Sequence, residues 1–175
     1  MLTLIAAMDE NRLLADERGI PWRLPRDIAH FRDYTQGKWL LLGRRTFEEM
    51  QGWFRDRHYP LVLSARCGWD PHIGRLVCSV PHALALAEAA GVEEIVCCGG
   101  AQTYAAALPY AHKLVLTTVH THIEPRSAAV YFPSWTEHAW SEKTRTAHIP
   151  DAEHAHGFTI ATLTLRQSLP LGQRP

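Results

Sequence analysis

"EEIVCCGGAQTYAAAL", residues 93–108, decides the fold class, because it runs a short apolar stretch into two glycines and an alanine-rich segment. Glu94–Cys98 reads as a buried strand and Gln102–Leu108 as a helix. A strand that feeds straight into a helix is the unit from which parallel sheets are built. The same unit recurs on both sides. Further strands are expected at Leu2–Met8, Trp39–Leu42, Leu61–Leu63, Leu76–Val80 and Lys113–Val119. Helices are expected at Pro25–Thr35, Thr46–Gln51 and His82–Ala90. The first half therefore reads β-α-β-α-β, an α/β chain with helices on both faces of a largely parallel sheet. Near Ala139–Lys143 and Phe158–Leu165 two strands follow without a helix between them, which predicts antiparallel pairing at the C-terminal edge. Val119–Phe132 holds Pro125 and little apolar content before Val130, so it reads as a long loop. One domain over residues 1–166 is expected, with residues 167–175 as a flexible tail.

Composition removes several classes of function. Eighteen Lys and Arg balance eighteen Asp and Glu, so no overall field draws in nucleic acid or an acidic membrane. An apolar fraction of 46% excludes a disordered chain, and no apolar run is long enough to span a bilayer. "LTLIAAM" lacks a basic lead and runs into Asp9-Glu10, which marks a buried strand and not a signal peptide. Cys67, Cys78, Cys97 and Cys98 show no framework spacing, which points to reduced thiols in a cytoplasmic protein. His120-x-His122 and His154-x-His156 could each present two imidazoles on one strand face. No carboxylate or cysteine stands at ligand spacing from them, so solvated strand faces and loops are expected and no metal site is assigned.

Ligands of parallel α/β sheets bind at the carboxyl ends of the strands. After Leu42 comes "GRRTFEEM", where Gly43 allows a tight turn, Thr46 can cap a helix, and Arg44 and Arg45 stand beside its start. Guanidiniums there suit a phosphate, although two solvated arginines at a turn would look the same. After Leu63 a hydroxyl and a cation recur at Ser64 and Arg66. After Cys98, Gly99-Gly100 lets the backbone approach a pyrophosphate or pack closely on the sheet. The G-x-G-x-x-G spacing of a standard dinucleotide fold is absent.

One residue is out of place. In "IPWRLPRDIAHFRDYT", residues 20–35, Leu24, Ile28 and Phe31 form an apolar stripe, and Asp27 lies at its edge. An acid in a first helical turn can simply face water. Buried, it would need a ligand with donors.

Together these stretches resemble dihydrofolate reductase, over Leu2 to about Leu165. The resemblance is carried by "LIAAMDENRLLA", "IPWRLPRDIAHFRDYT", "LLGRRTFEEM", "LVLS", "CGGAQTYAAALPYAHKLVLTTV" and "YFP". It implies a single domain with a mostly parallel eight-stranded sheet, an antiparallel C-terminal edge and four flanking helices. It also implies reduction of 7,8-dihydrofolate to tetrahydrofolate with NADPH as cofactor. By position, Asp27 would bind the pterin and assist protonation, supported by Thr117, with Trp22 closing the site under the loop Asn11–Ile20. Ile5, Ala7, Ile28, Phe31, Met50, Phe54, Cys98 and Tyr104 would contact the folate, and Arg57 its glutamate tail. Ala7, Leu14, Gly43, Arg44, Arg45, Thr46, Leu63, Ser64, Arg66, Gly99, Gly100 and Gln102 would contact the cofactor. A monomer is expected.

The chain departs from the family's pattern in places. Leu14-Ala15 replaces a pair that often contains glycine, and Ala129 falls where a loop-pairing aspartate often sits. One extra residue between Arg57 and Ser64 makes His58 the alternative to Arg57, with Arg55 further off; a bulge or turn near Tyr59-Pro60 would absorb it. Rival readings are a related pterin or ribosylaminopyrimidine reductase, and a non-catalytic nucleotide-binding module.

Overall fold

The computed structural model describes residues 1–54, 58–66, 68–135 and 139–166. Arg55, Arg57, Cys67 and the tail lie outside the described residues. The centre of the molecule is an eight-stranded sheet in the order β5-β4-β3-β6-β1-β7-β10-β9. Its strands are β1 (Leu2–Asp9), β3 (Trp39–Gly43), β4 (Tyr59–Leu63), β5 (Arg75–Val77), β6 (Ile95–Gly99), β7 (Lys113–Val119), β9 (Trp140–His148) and β10 (Phe158–Leu165). Strands β5 through β7 run parallel, and β10 joins β7 and β9 antiparallel. The helices among the described residues are α1 (Pro25–Thr35), α2 (Arg44–Glu49), α3 (Val80–Ala89) and α4 (Ala101–Ala107).

Strand β1 is apolar along nearly its whole length because both faces of the sheet are covered. On one face Leu2, Leu4, Ala6 and Met8 pack with Val80, Ala83 and Ala87 of α3 and Tyr104 and Ala107 of α4. On the other, Ile5, Leu40, Leu42, Val62, Val96, Cys98 and Val115 meet Phe47 of α2, with Phe31, Tyr34, Met50 and Phe54 against them. Alternation along the strands thus sorts side chains into two cores.

Five local expectations need correction. The stretch read as a loop contains β8 (Val130–Tyr131), which pairs antiparallel with β2 (Leu13–Ala15). Strand β5 stops at Val77, because Ser79 caps α3 by accepting the His82 N–H at 3.2 Å, so Val80 is helical. Helix α2 starts at Arg44 with Gly43 as its cap, which leaves Thr46 inside the helix. Strand β9 extends to His148, far beyond Lys143, held by pairing with β10 from Trp140 to His148. Its polar sequence carries no period-2 signal because it is the sheet's edge, where charged side chains discourage further pairing. The extra residue before Ser64 makes no bulge within β4, since Tyr59 to Leu63 pair in unbroken register with Trp39 to Gly43. No helix among the described residues is long and apolar enough to cross a membrane.

Candidate active site

The carboxyl ends of β4, β3, β6, β1 and β7 lie along one edge of the sheet, and the start of α1 is joined to it at β7. Pro25, with its fixed φ, opens α1, and Asp27 follows in the first turn. Its Oδ1 accepts the Thr117 hydroxyl at 2.6 Å. Thr117 is buried on β7 and paired in register with Ala7 of β1. Burial pushes the Asp27 carboxyl above its ordinary value, against the smaller opposing effects of the Thr117 hydroxyl and of His30.

Apolar side chains pack on the face of the sheet that α1 covers. Ile5 and Cys98 are buried, with Phe31, Met50 and Phe54 packed on their cluster. Ile28 remains 41% exposed one residue after Asp27, an apolar surface presented without a protein partner to cover it fully. Trp22 packs with Leu24, Val119 and Phe158. Tyr104 is buried and donates its hydroxyl to the Ile5 carbonyl at 2.6 Å, so it braces β1 through a bond to the backbone. Burial raises its pKa well above the ordinary tyrosine value.

Beside the acid lies a glycine-lined turn. The Gly99-Gly100 peptide is cis, and Gly99 has φ +99°, a left-handed conformation that favours glycine. A Cβ at Gly43 would come within 2.6 Å of the Thr103 hydroxyl, and one at Gly99 within 2.7 Å of the Tyr104 ring. Close packing therefore accounts for glycine at those two positions. At Gly100 a Cβ would meet only the Thr46 hydroxyl, at 3.1 Å. Gly99-Gly100 ends β6, while Arg44 and Arg45 follow β3 and Ser64 and Arg66 follow β4, so glycine backbone and cations share one edge of the sheet, a donor set that fits a dinucleotide's phosphates. Arg44 is already engaged: its Nη1 lies 2.6 Å from Glu48 one turn on. Ser64 accepts the Arg66 N–H at 3.1 Å. Leu63 packs at the end of β4, Leu14 lies in β2 against the larger core, and Gln102 is exposed on α4.

A family model described as dihydrofolate reductase matches residues 1–165. The chain belongs to the dihydrofolate reductase family. It is 34% identical over 164 residues to dihydrofolate reductase type 3 of Salmonella typhimurium, covering 94% of this chain and 98% of that one. With the dihydrofolate reductase of Bacillus subtilis it shares 35% over 174 residues, 98% and 99% of the two chains. Among solved structures, a dihydrofolate reductase of Enterococcus faecalis complexed with NADP(H) and RAB-propyl superposes with a TM-score of 0.83. The two are 25% identical, over 95% of this chain and 97% of that one.

One cavity was not legible in the chain's local pattern. Arg32, Asp33, Gln36, Gly52, Trp53 and His58 line a cavity of about 210 Å³. The Arg32 guanidinium sits 4.7 Å from the centre of the Trp53 ring, which itself meets Phe31 at 5.2 Å. Spacing alone cannot bring α1 and the turn after α2 together. The two histidine pairs divide in three dimensions, His120 and His122 standing exposed as expected of solvated positions. His120 Nε2 lies 2.8 Å from the Thr159 hydroxyl and His122 pairs with Glu10 at 3.1 Å. His154 is buried and bonded to Asp151, so it belongs to no solvated face. Among the described residues no group of three or more His, Cys, Asp or Glu is placed to hold a metal.

Proposed function

We propose that Asp27 is the group through which this chain binds its pterin in the family's reaction, the NADPH-dependent reduction of 7,8-dihydrofolate to 5,6,7,8-tetrahydrofolate. The supporting observation is a carboxylate held by Thr117 at 2.6 Å and withdrawn far enough from water that burial raises its pKa. A pterin edge presents two N–H donors, and the Asp27 oxygens left beyond the Thr117 bond accept them. NADPH supplies the hydride. The charge of the Asp27 carboxylate favours a protonated pterin, and its pKa, raised by burial, lets it take up and pass on a proton closer to neutral pH than a solvated acid. Ile5, Ala7, Ile28, Phe31, Met50 and Phe54 orient the ring and exclude water, and Trp22 closes the cleft. Arg44, Arg45, Ser64 and Arg66 take the cofactor's phosphates, with Thr46, Gly99 and Gly100 along its pyrophosphate.

We assign Arg57, which lies outside the described residues, to the glutamate tail's inner carboxylate, because a guanidinium grips a carboxylate with two parallel bonds. The chain is expected to act as a monomer. Cys78, Cys97 and Cys98 are free thiols, which suits a reducing compartment, and we place the reaction in the cytoplasm. The test is loss of NADPH absorbance that depends on dihydrofolate. Wild type is expected to turn over and Asp27→Asn to lose nearly all activity at neutral pH. Turnover of a ribosylaminopyrimidine in place of dihydrofolate would overturn the substrate assignment.

A further inference from the structure

The helix that carries Asp27 begins without a cap of its own. Leu24 occupies the cap position and offers no side-chain acceptor. Pro25, next, has no N–H, so Arg26 bears the first backbone donor of the helix. That donor is taken from far along the chain: the Arg26 N–H donates to His154 Nε2 at 3.1 Å, across 128 residues.

His154 is only 1% exposed, and its two ring-nitrogen contacts decide which nitrogen donates. A backbone N–H can only donate, so Nε2 is the bare nitrogen and Nδ1 carries the proton. Nδ1–H donates to Asp151 Oδ1 at 2.6 Å. Asp151 is fixed in turn by the backbone N–H groups of Glu153 at 2.9 Å and of His154 at 3.0 Å. The side chain of Arg26 is caught by the same connection between β9 and β10. Its Nη2 lies 3.5 Å from Asp151 Oδ2, and its Nη1 lies 3.4 Å from His148 Nδ1. His148 stacks on Phe158 at 4.5 Å, and Phe158 packs on Leu24. The first turn of α1 is thereby clamped to the C-terminal hairpin.

We propose that His154 is a positioning residue, which caps α1 through the Arg26 N–H and so keeps the Asp27 carboxylate aimed at the pterin. This rests on the assignment of Asp27 to the pterin. Asp27 has two tethers in this arrangement: Thr117 at the carboxylate, and the His154 cap at the backbone one residue before it. Without the cap the first helical turn frays, and the acid swings with it. Misplacement by about 1 Å can cost as much as about 100-fold in rate.

The test compares His154→Ala, His154→Gln and His154→Asn in the full chain, at a temperature well below each variant's unfolding midpoint. The readout is the single-turnover hydride-transfer rate with NADPH and dihydrofolate saturating, together with KM for NADPH. The glutamine oxygen reaches the place of Nε2 and still accepts from Arg26, whereas the asparagine amide reaches only the place of Nδ1. His154→Ala and His154→Asn should slow hydride transfer roughly tenfold with KM for NADPH unchanged, and His154→Gln should recover most of the rate. In the Asp27→Asn background His154→Ala should cause no further loss. An unchanged rate in His154→Ala, beside a large loss in Asp27→Asn, overturns the proposal alone. Should His154→Ala not fold, equal rates in the glutamine and asparagine variants overturn it instead. Full turnover in Asp27→Asn overturns the Asp27 assignment and this proposal with it.

Discussion

Asp27 exchanges its hydration for one threonine hydroxyl, which is costly until a ligand with donors arrives. Its carboxyl pKa is raised above 3.8 in the fold, so the native state binds more protons than the unfolded chain between the two values. Stability therefore falls as pH rises through the folded value, and the penalty is fully present above it. In the ligand-free protein, Asp27→Asn should unfold at an equal or higher temperature at pH 7. Thermal scans should show that advantage disappearing as pH drops toward about 4, where the acid is neutral in both states. Activity should move the opposite way, falling about 100-fold or more at pH 7 and recovering in part under acid conditions, where solvent provides the proton. A pH–rate profile of the variant checks this. Arg44 yields a second prediction at the same scale. Its loss should weaken NADPH by about 1.5–3 kcal/mol while leaving NADH nearly unchanged. Glu48 competes for the same guanidinium, so Glu48→Gln should strengthen NADPH binding in the same titration.

The loop between β1 and α1 shows how one element replaces a missing contact. Ala129 offers no carboxylate, yet the loop is fastened to residues 121–131 all the same. Asp16 is buried and accepts from the Arg18 N–H at 2.9 Å, from the Arg18 guanidinium at 3.0 Å and from the Arg126 N–H at 3.4 Å. Ser127 donates its hydroxyl to Glu17, and Ile123 donates its N–H to Asp9 at 3.0 Å. Beneath these, β2 pairs with β8. The acid that joins the two loops thus sits on the first of them. Those bonds, with the Arg18 side chain foremost, hold the Asp16 carboxyl at about 2. Because that value is depressed, its stabilisation is present above about 4 and lost as pH falls through about 2. Asp16→Ala should speed amide hydrogen exchange across Leu13–Gly19 and residues 126–131 and leave β1 and β7 unchanged. Equal protection in both proteins would show that β2–β8 pairing alone holds the loop.

Opposite the cleft, at the amino ends of the strands, one acid ties the whole molecule together. Glu94 accepts from Lys38 at 2.5 Å, Lys113 at 3.1 Å, the Tyr34 hydroxyl at 2.9 Å and the Thr3 hydroxyl at 2.6 Å. Those partners come from the β3 approach, β7, α1 and β1, so a single carboxylate links three strands of the parallel sheet to the helix that carries Asp27. Burial alone would raise its pKa, but the four donors together lower it to about 2. Its side chain keeps 14% exposure, and solvent screens part of the attraction. Glu94→Gln should cost about 1–2 kcal/mol of stability at pH 7 after that screening. A depressed carboxylate loses its contribution as pH falls from about 4.5 toward 2, so denaturant titrations of the two proteins should converge there.

Local pattern was enough where one element's own residues decide. Helix α1 runs from Pro25 to Thr35, and β7 and β10 span Lys113–Val119 and Phe158–Leu165, as apolar periodicity and Pro25 require. An acid beside an apolar stripe marked Asp27, and two glycines after a buried strand marked the turn at Gly99. Tertiary structure decided everything that depends on a partner distant along the chain. Strand β9 is strand because β10 lies beside it, and β2 and β8 exist only as a pair. The H-x-H at His154 is spaced like a ligand pair, yet His154 faces a backbone donor 128 residues earlier. Hydrophobic periodicity is written into consecutive residues because burial depends on one face of one element. A hydrogen bond depends on where two elements meet, and closing the chain between them leaves no mark on the sequence at either end.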